Sequence, residues 1–287
     1  MLQRYMFRAR QVHHALAGSG RSNLVRIGGR DIRTIIGAVP QRRHYTALVN
    51  MFRVYRSPLP ALGRYLWGVG RYPCQIPVRT PLGWFHPTLF SHHDLLTLNE
   101  VFCRLDYRLE PMPRVVIDVG SNIGLSALYF LTRASAVRCY LYEPVPENLE
   151  RLRVNLAGLD QRARVYPYAV GDAERQVEFG VEESGRYGGI DLVTGSSIAV
   201  QCLSINDVLE EVLSREGRVD LLKLDTEGYE ERTVRAIDPE YLTRIRAIYL
   251  EALPTQPLLP ARFHESRYGS VCRYFNSGWI SHDELSP

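Results

Sequence analysis

Val115-Val116-Ile117-Asp118-Val119-Gly120-Ser121-Asn122-Ile123-Gly124 is the stretch on which the fold turns. An apolar run carries one carboxylate, enters a turn with two glycines and opens into a helix. Gly120 and Gly124 let the backbone turn tightly and pass close to a ligand where a Cβ would clash. Glu143 follows 25 residues after Asp118, at the end of the next apolar segment, Cys139–Tyr142. Strand, glycine turn, helix and strand-end carboxylate together are the physical requirements of a nucleotide-like cofactor site. Glu143 can accept hydrogen bonds from two ribose hydroxyls, and Pro144 and Pro146 stiffen the chain behind it.

The loop reads Gly-x-Asn-x-Gly. A dinucleotide site expects three glycines, because a pyrophosphate rests on the helix N-terminus. Here Asn122 replaces the middle glycine, and the third position past Gly124 is Ala127. S-adenosylmethionine has no phosphate; its methionine end carries an ammonium and a carboxylate. The polar groups of Gly120, Ser121, Asn122 and Gly124 suit that end, and Asp118 is expected to pair with the ammonium or to cap the turn. Downstream, Ala169 and Val170 are placed to pack on the adenine ring, with Asp172 accepting from its exocyclic amine.

The rest of the chain bounds this reading. Its 287 residues are 45% apolar and 23% charged, which is a globular composition, and a formal charge of +4 does not argue for nucleic acid. Five dispersed cysteines with no CxxC pair point away from a disulfide framework or zinc site, toward a reducing compartment and hence the cytoplasm. No apolar run approaches the roughly 18 residues that span a bilayer. Residues 1–40 form a basic extension, with seven arginines against Asp31. It is expected to pack or fray, to target an organelle, or to touch a membrane surface. Residues 41–110 read as an N-terminal cap or substrate region. Two short strands, Gln75–Thr80 and Trp84–Leu89, precede a helix from Leu95 to about Leu105, capped by Asp94.

Residues 111–287 alternate strand and helix. Strands are expected at Val115–Val119, Cys139–Tyr142, Val165–Val170, Leu221–Leu224 and Ala247–Leu250, apolar enough to be covered on both faces of a parallel sheet. Gln176–Val181 and Ile198–Leu203 are extra strands around a polar loop, 182–197. After the fifth strand a helix is expected at Ser270–Ser277 and a short strand at Trp279–Ser281. That leaves little chain for a last antiparallel strand.

Lys223-Leu224-Asp225-Thr226-Glu227-Gly228-Tyr229-Glu230 ends the fourth strand at the mouth of the crevice. Asp225 and Glu227 are the candidate catalytic carboxylates, able to hold substrate hydroxyls or act as a base. Glu251, ending the fifth strand, faces the same crevice. With Asp225 it is a candidate ligand pair for a divalent metal such as Mg2+. His86, His92 and His93 are further candidates for a base, and Tyr107 for an aromatic wall beside the sulfonium.

With these residues assembled, the chain resembles the FkbM-type methyltransferases over roughly residues 90 to 253. The likeness rests on Val116 to Gly124 (where the family usually has Ala in place of Ser121), on Tyr142-Glu143-Pro144-Val145-Pro146-Glu147-Asn148, and on Leu222 to Glu230. It implies a class I methyltransferase fold, α/β, Rossmann-like, with a mostly parallel sheet, helices on both faces and an N-terminal strand and helix extension. It also implies S-adenosylmethionine as donor, Asn148 among the cofactor residues, and O-methylation of a sugar, glycolipid or natural-product hydroxyl. Two other readings stay open: an NAD-dependent oxidoreductase, which needs the missing glycine, and a non-catalytic S-adenosylmethionine-binding partner protein.

Overall fold

The computed structural model describes residues 26–27, 30–31, 42–181, 188–190 and 196–279. Most of the basic extension and most of the 182–197 loop lie outside the described residues, as does the end of the strand expected at Trp279–Ser281.

The centre is a seven-stranded sheet. Its strands are β1 (Val115–Val119), β2 (Arg138–Tyr142), β3 (Ala163–Tyr166), β8 (Val219–Leu224), β9 (Ile245–Leu250), β10 (Phe263–Tyr268) and β11 (Val271–Asn276). The spatial order is β10-β11-β9-β8-β1-β2-β3. All neighbours are parallel except those of β11, which runs antiparallel to both β9 and β10. That is the sheet of a class I methyltransferase. Every residue of β1 and of β8 is buried, so both faces are covered and the strands read as continuous apolar runs. Three charged residues interrupt them: Asp220 near the start of β8, and Asp118 and Lys223, which are register partners on adjacent strands. The helices α4 (Leu125–Leu131), α5 (Pro146–Asn155), α6 (Ile205–Glu216) and α7 (Glu230–Arg235) connect the strands.

Three expectations are corrected. The segment Val165–Val170 is two strands, because Pro167 cannot donate to a ladder. β3 ends at Tyr166, and β4 (Ala169–Gly171) joins a second sheet with β5 (Arg175–Val181), β6 (Gly188–Ile190) and β7 (Ser196–Ser204), in the order β4-β7-β5-β6. The C-terminus is a β-hairpin, with Tyr268 opposite Val271 and Gly269 at φ +66°, where a helix was expected. Val271 to Asn276 is rich in aromatic residues and interleaves Arg273 and Phe275 with the more buried Cys272 and Tyr274. The sheet therefore has its last antiparallel strand. The helix α6 was missed, although Ile205, Val208, Leu209, Val212 and Leu213 all face the core at helical spacing and Ser204 accepts from the Asn206 amide at 3.2 Å.

Ahead of the sheet come α1 (Arg42–Val54), α2 (Pro58–Trp67), two short two-stranded ribbons between Cys74 and Leu89, and α3 (His92–Phe102). Ser91, not Asp94, is the N-cap of α3. Ser91 Oγ accepts from the Asp94 amide while Asp94 Oδ2 accepts from the Ser91 N–H, a capping box. Met51, Leu98, Phe102, Leu128, Leu141 and Tyr249 share one hydrophobic core. Residues 51–109 are thus continuous in packing with the sheet. No helix among the described residues is long and apolar enough to cross a membrane.

Candidate functional site

Strand ends β1, β2 and β8 open on one side of the sheet, where two hollows meet. The first encloses about 560 Å³, part of it open to solvent, and the second about 670 Å³. Gly120, Asn122, Asp225 and Glu227 line both. The first continues over Glu143, Val145, Ala169, Val170, Phe179 and Ile190. The second is walled by α3, through Asp94, Thr97 and Glu100, and by Tyr107 and Glu251.

The loop between the hollows is built by its own backbone. The Gly120 and Ser121 amides both donate to the Tyr142 carbonyl, at 2.9 and 3.1 Å, which ties the end of β1 to the end of β2. Gly120, at φ +75°, passes so close to β8 that a Cβ would lie 2.0 Å from the Asp225 carbonyl oxygen. At Gly124 a Cβ would meet Leu152 at 3.1 Å. The crowding that requires these glycines comes from the protein itself, which corrects the expectation of close ligand approach. Asn122 holds a left-handed conformation, φ +47°, and turns its amide onto Glu143 Oε2 at 2.8 Å.

Glu143 is 4% exposed. Its Oε1 accepts from the Val145 amide at 3.0 Å and from Asn148 Nδ2 at 3.3 Å. A carboxylate offers about four acceptor positions, so capacity remains on the side that lines the first hollow. Burial pushes its pKa up to about 7 despite these three donors. Asn148 therefore positions Glu143 and also lines the hollow.

Asp118 departs from expectation. It is fully buried and lines neither hollow. Lys223 Nζ donates to its Oδ1 at 2.8 Å and Ser126 Oγ to its Oδ2 at 2.5 Å. Lys223 is the only lysine in the chain. It also lies 3.4 Å from Asp225 Oδ2 and 5.3 Å from the centre of the Tyr107 ring. Burial would lower its pKa, but Asp118 and Asp225 outweigh burial and hold the ammonium above the ordinary lysine range. A protein cation, not a ligand's ammonium, balances Asp118. Ser121 donates to the Asp118 carbonyl at 2.7 Å and lines the second hollow.

Asp172 is likewise spoken for. It accepts from Arg175 at 2.8 Å, Tyr229 at 2.9 Å and Arg232 at 2.8 Å, and it lines neither hollow. Burial opposes ionisation, yet Arg175 and its companions bring its pKa to about 2. These three donors lock β4 to α7.

Asp225 and Glu251 do come together at the second hollow. The Tyr107 hydroxyl donates to Glu251 Oε1. Burial, then the charge of Asp225, pushes Glu251 well above the usual carboxylate range. Among the described residues, however, no group of three or more His, Cys, Asp or Glu side chains could hold a metal. The Mg2+ expected at Asp225 and Glu251 is therefore not supported by a ligand cluster among the described residues. His86, His92 and His93 line neither hollow.

Several lining residues escaped the sequence. Thr226 Oγ1 is buried without a hydrogen-bond partner among the described residues, at the edge of the first hollow. Its place inside the Asp225-Thr226-Glu227 motif was an available signal. Phe179 and Ile190 arrive from the second sheet, and Thr97 and Glu100 from α3, placements set by tertiary packing that no local pattern records.

Sheet order and strand-end hollows define a methyltransferase-class cofactor fold. The methyltransferase FkbM domain model matches residues 118–267. The chain belongs to that family. Similar relatives include methyltransferase sdnD of Sordaria araneosa, 24% identical over 56% of this chain and 76% of that protein. The 2-O-methyltransferase NoeI of Sinorhizobium fredii is 27% identical over 50% of this chain and 65% of that protein. AMB antimetabolite synthetase AmbE of Pseudomonas aeruginosa is 26% identical over 54% of this chain, which spans only 9% of that protein. A methyltransferase structure from Geobacter sulfurreducens aligns with 57% of this chain and 71% of its own, at 15% identity and TM-score 0.33.

Proposed function

We propose that this chain transfers a methyl group from S-adenosylmethionine to a hydroxyl oxygen of a sugar, glycolipid or natural-product acceptor. The observation that carries the reading is the meeting of two unlike hollows at Asp225 and Glu227. The first has the donor set that an adenosine needs: a ribose acceptor in Glu143, an apolar floor in Val145, Ala169 and Val170, and an unpartnered buried hydroxyl in Thr226. The second is lined by Asp94, Glu100, Asp225, Glu227 and Glu251, carboxylates suited to holding hydroxyl groups.

S-Adenosylmethionine supplies an electrophilic methyl carbon on a sulfonium. The residues of this chain supply alignment. Glu143, braced by Asn122, Val145 and Asn148, fixes the ribose. Gly120 and Asn122 form the ridge between the hollows. Asp225, held by Lys223, and Glu227, at φ +53°, orient the acceptor hydroxyl and take its proton as the oxygen attacks. Residues 41–110, through α3 and Tyr107, select the acceptor. The missing third glycine disfavours an oxidoreductase, and the carboxylates at the junction of the hollows disfavour a non-catalytic binder.

Turnover tests the reading. Labelled S-adenosylmethionine with a panel of glycosides and hydroxylated natural products should give labelled acceptor in wild type. Asp225→Asn should lower that rate by about 100-fold without weakening S-adenosylhomocysteine. A chelator should leave the rate unchanged. Full activity in Asp225→Asn would refute the role of Asp225, and no labelled product with any hydroxylated acceptor would refute O-methylation.

A further inference from the structure

Ten of the eleven exposed large hydrophobic side chains among the described residues lie between Tyr45 and Trp84. On α1 the concentration is ordered. Tyr45, Leu48, Val49 and Phe52 are 57%, 41%, 51% and 54% exposed, at spacings of three and four residues, so they form one stripe along the helix. Met51 and Tyr55 are buried, and the Tyr55 hydroxyl donates to Asn99 of α3 at 2.8 Å. On α2, Leu59 and Trp67 are 68% and 54% exposed while Ala61 is buried. An apolar surface of this kind marks an interaction site.

Charge identifies the occupant. The first 93 residues hold 14 of the 35 cationic side chains and one of the 31 acidic ones. Their formal charge is +13 against −9 for the remainder. From residue 32 to residue 93 there is no Asp or Glu. Arg53, Arg56, Arg71 and Arg79 are exposed. A second copy of the chain is a poor occupant, because a symmetric contact sets arginine against arginine. Nucleic acid satisfies the arginines and leaves the Leu48-Val49-Phe52 stripe wet.

We infer that the α1–α2 face docks on an anionic bilayer surface. The apolar stripe sinks to the headgroup and acyl boundary, Tyr45 and Trp67 sit at headgroup level, and the arginines meet the lipid phosphates. Both helices pack on α3, which walls the second hollow. A lipid-linked acceptor would then reach that hollow from the surface. That last step rests on the proposed methyl transfer; the docking does not.

Vesicle sedimentation of the full chain tests it. Wild type should pellet with mixed phosphatidylcholine and phosphatidylglycerol vesicles, not with phosphatidylcholine alone, and less so as salt is raised. The double variant Leu48→Glu with Phe52→Glu should lose vesicle affinity by about tenfold or more, with melting temperature and S-adenosylhomocysteine affinity unchanged. Arg53→Glu with Arg56→Glu should lose a similar factor. Failure of wild type to bind the anionic vesicles overturns the inference and leaves an acidic protein as the partner to seek. Unchanged binding by the Leu48 and Phe52 variant also overturns it, since charge alone would then suffice. A lower melting temperature of that variant means that the chain itself covers the stripe. A dimer dissociated by the variant means that a second copy does; either result overturns the inference.

Discussion

Asp118 and Glu143 end adjacent parallel strands, both almost fully buried, and they do opposite things. Asp118 faces β8, where Lys223 stands in register, and both its oxygens are taken by protein donors. Glu143 lies beyond the last ladder pair of β2, beside the point where β3 stops and β4 leaves for the second sheet. Its donors are backbone amides and one amide side chain, and it keeps an open side toward the first hollow. A strand-end carboxylate keeps an open side only where the neighbouring strand leaves room. Where a cation is in register, it becomes part of the scaffold.

Breaking the scaffold half should have the largest effect. Lys223→Met leaves Asp118 buried and unpaired, and should cost about 3–5 kcal/mol in urea unfolding. Wild-type stability in that variant would show that the pair is not structural. On the ligand half, Glu143→Ala should weaken S-adenosylhomocysteine about 100-fold by calorimetry, with much less effect on folding.

pH sharpens the contrast. The ribose hydroxyls need the ionised carboxylate, so affinity should hold above pH 7. It should fall as pH drops through about 7, approaching tenfold per unit, and stay flat in Glu143→Gln. For folding the sign is reversed, because the folded pKa is raised. The contribution of Glu143 is fully present below its ordinary 4.5 and lost as pH rises through about 7. Wild type should match Glu143→Gln near pH 4.5 and fall below it by pH 8, measured by urea unfolding at each pH. The smallest effect belongs to Asp172→Asn. Its partly exposed arginine cluster should yield about 1 kcal/mol of stability, with S-adenosylhomocysteine affinity within about twofold.

The sequence made one half of this comparison legible. Strand, glycine turn and Glu143 are local, and the continuous apolar runs of β1 and β8 announce a covered parallel sheet. The partner of Asp118 lies 105 residues away, so only the register of β8 on β1 reveals it. Lys223 was visible as the only lysine, but a lone lysine does not say what it faces. Asp172 misled for the same reason: two of its donors, Tyr229 and Arg232, sit on and just before a helix reached through the second sheet. Pro167 was a readable break that an apolar count overrode. At the C-terminus, Val271-Cys272-Arg273-Tyr274-Phe275-Asn276 carries no strict apolar–polar alternation; its alternate burial is set by the pairing of β11 with β9 and β10.

Calorimetry on wild type at pH 8 tests the central claim most directly. S-Adenosylhomocysteine should bind with an affinity that Glu143→Ala loses, and NAD should give no heat. Binding of NAD in preference to S-adenosylhomocysteine, or equal S-adenosylhomocysteine affinity in both proteins, would contradict the account.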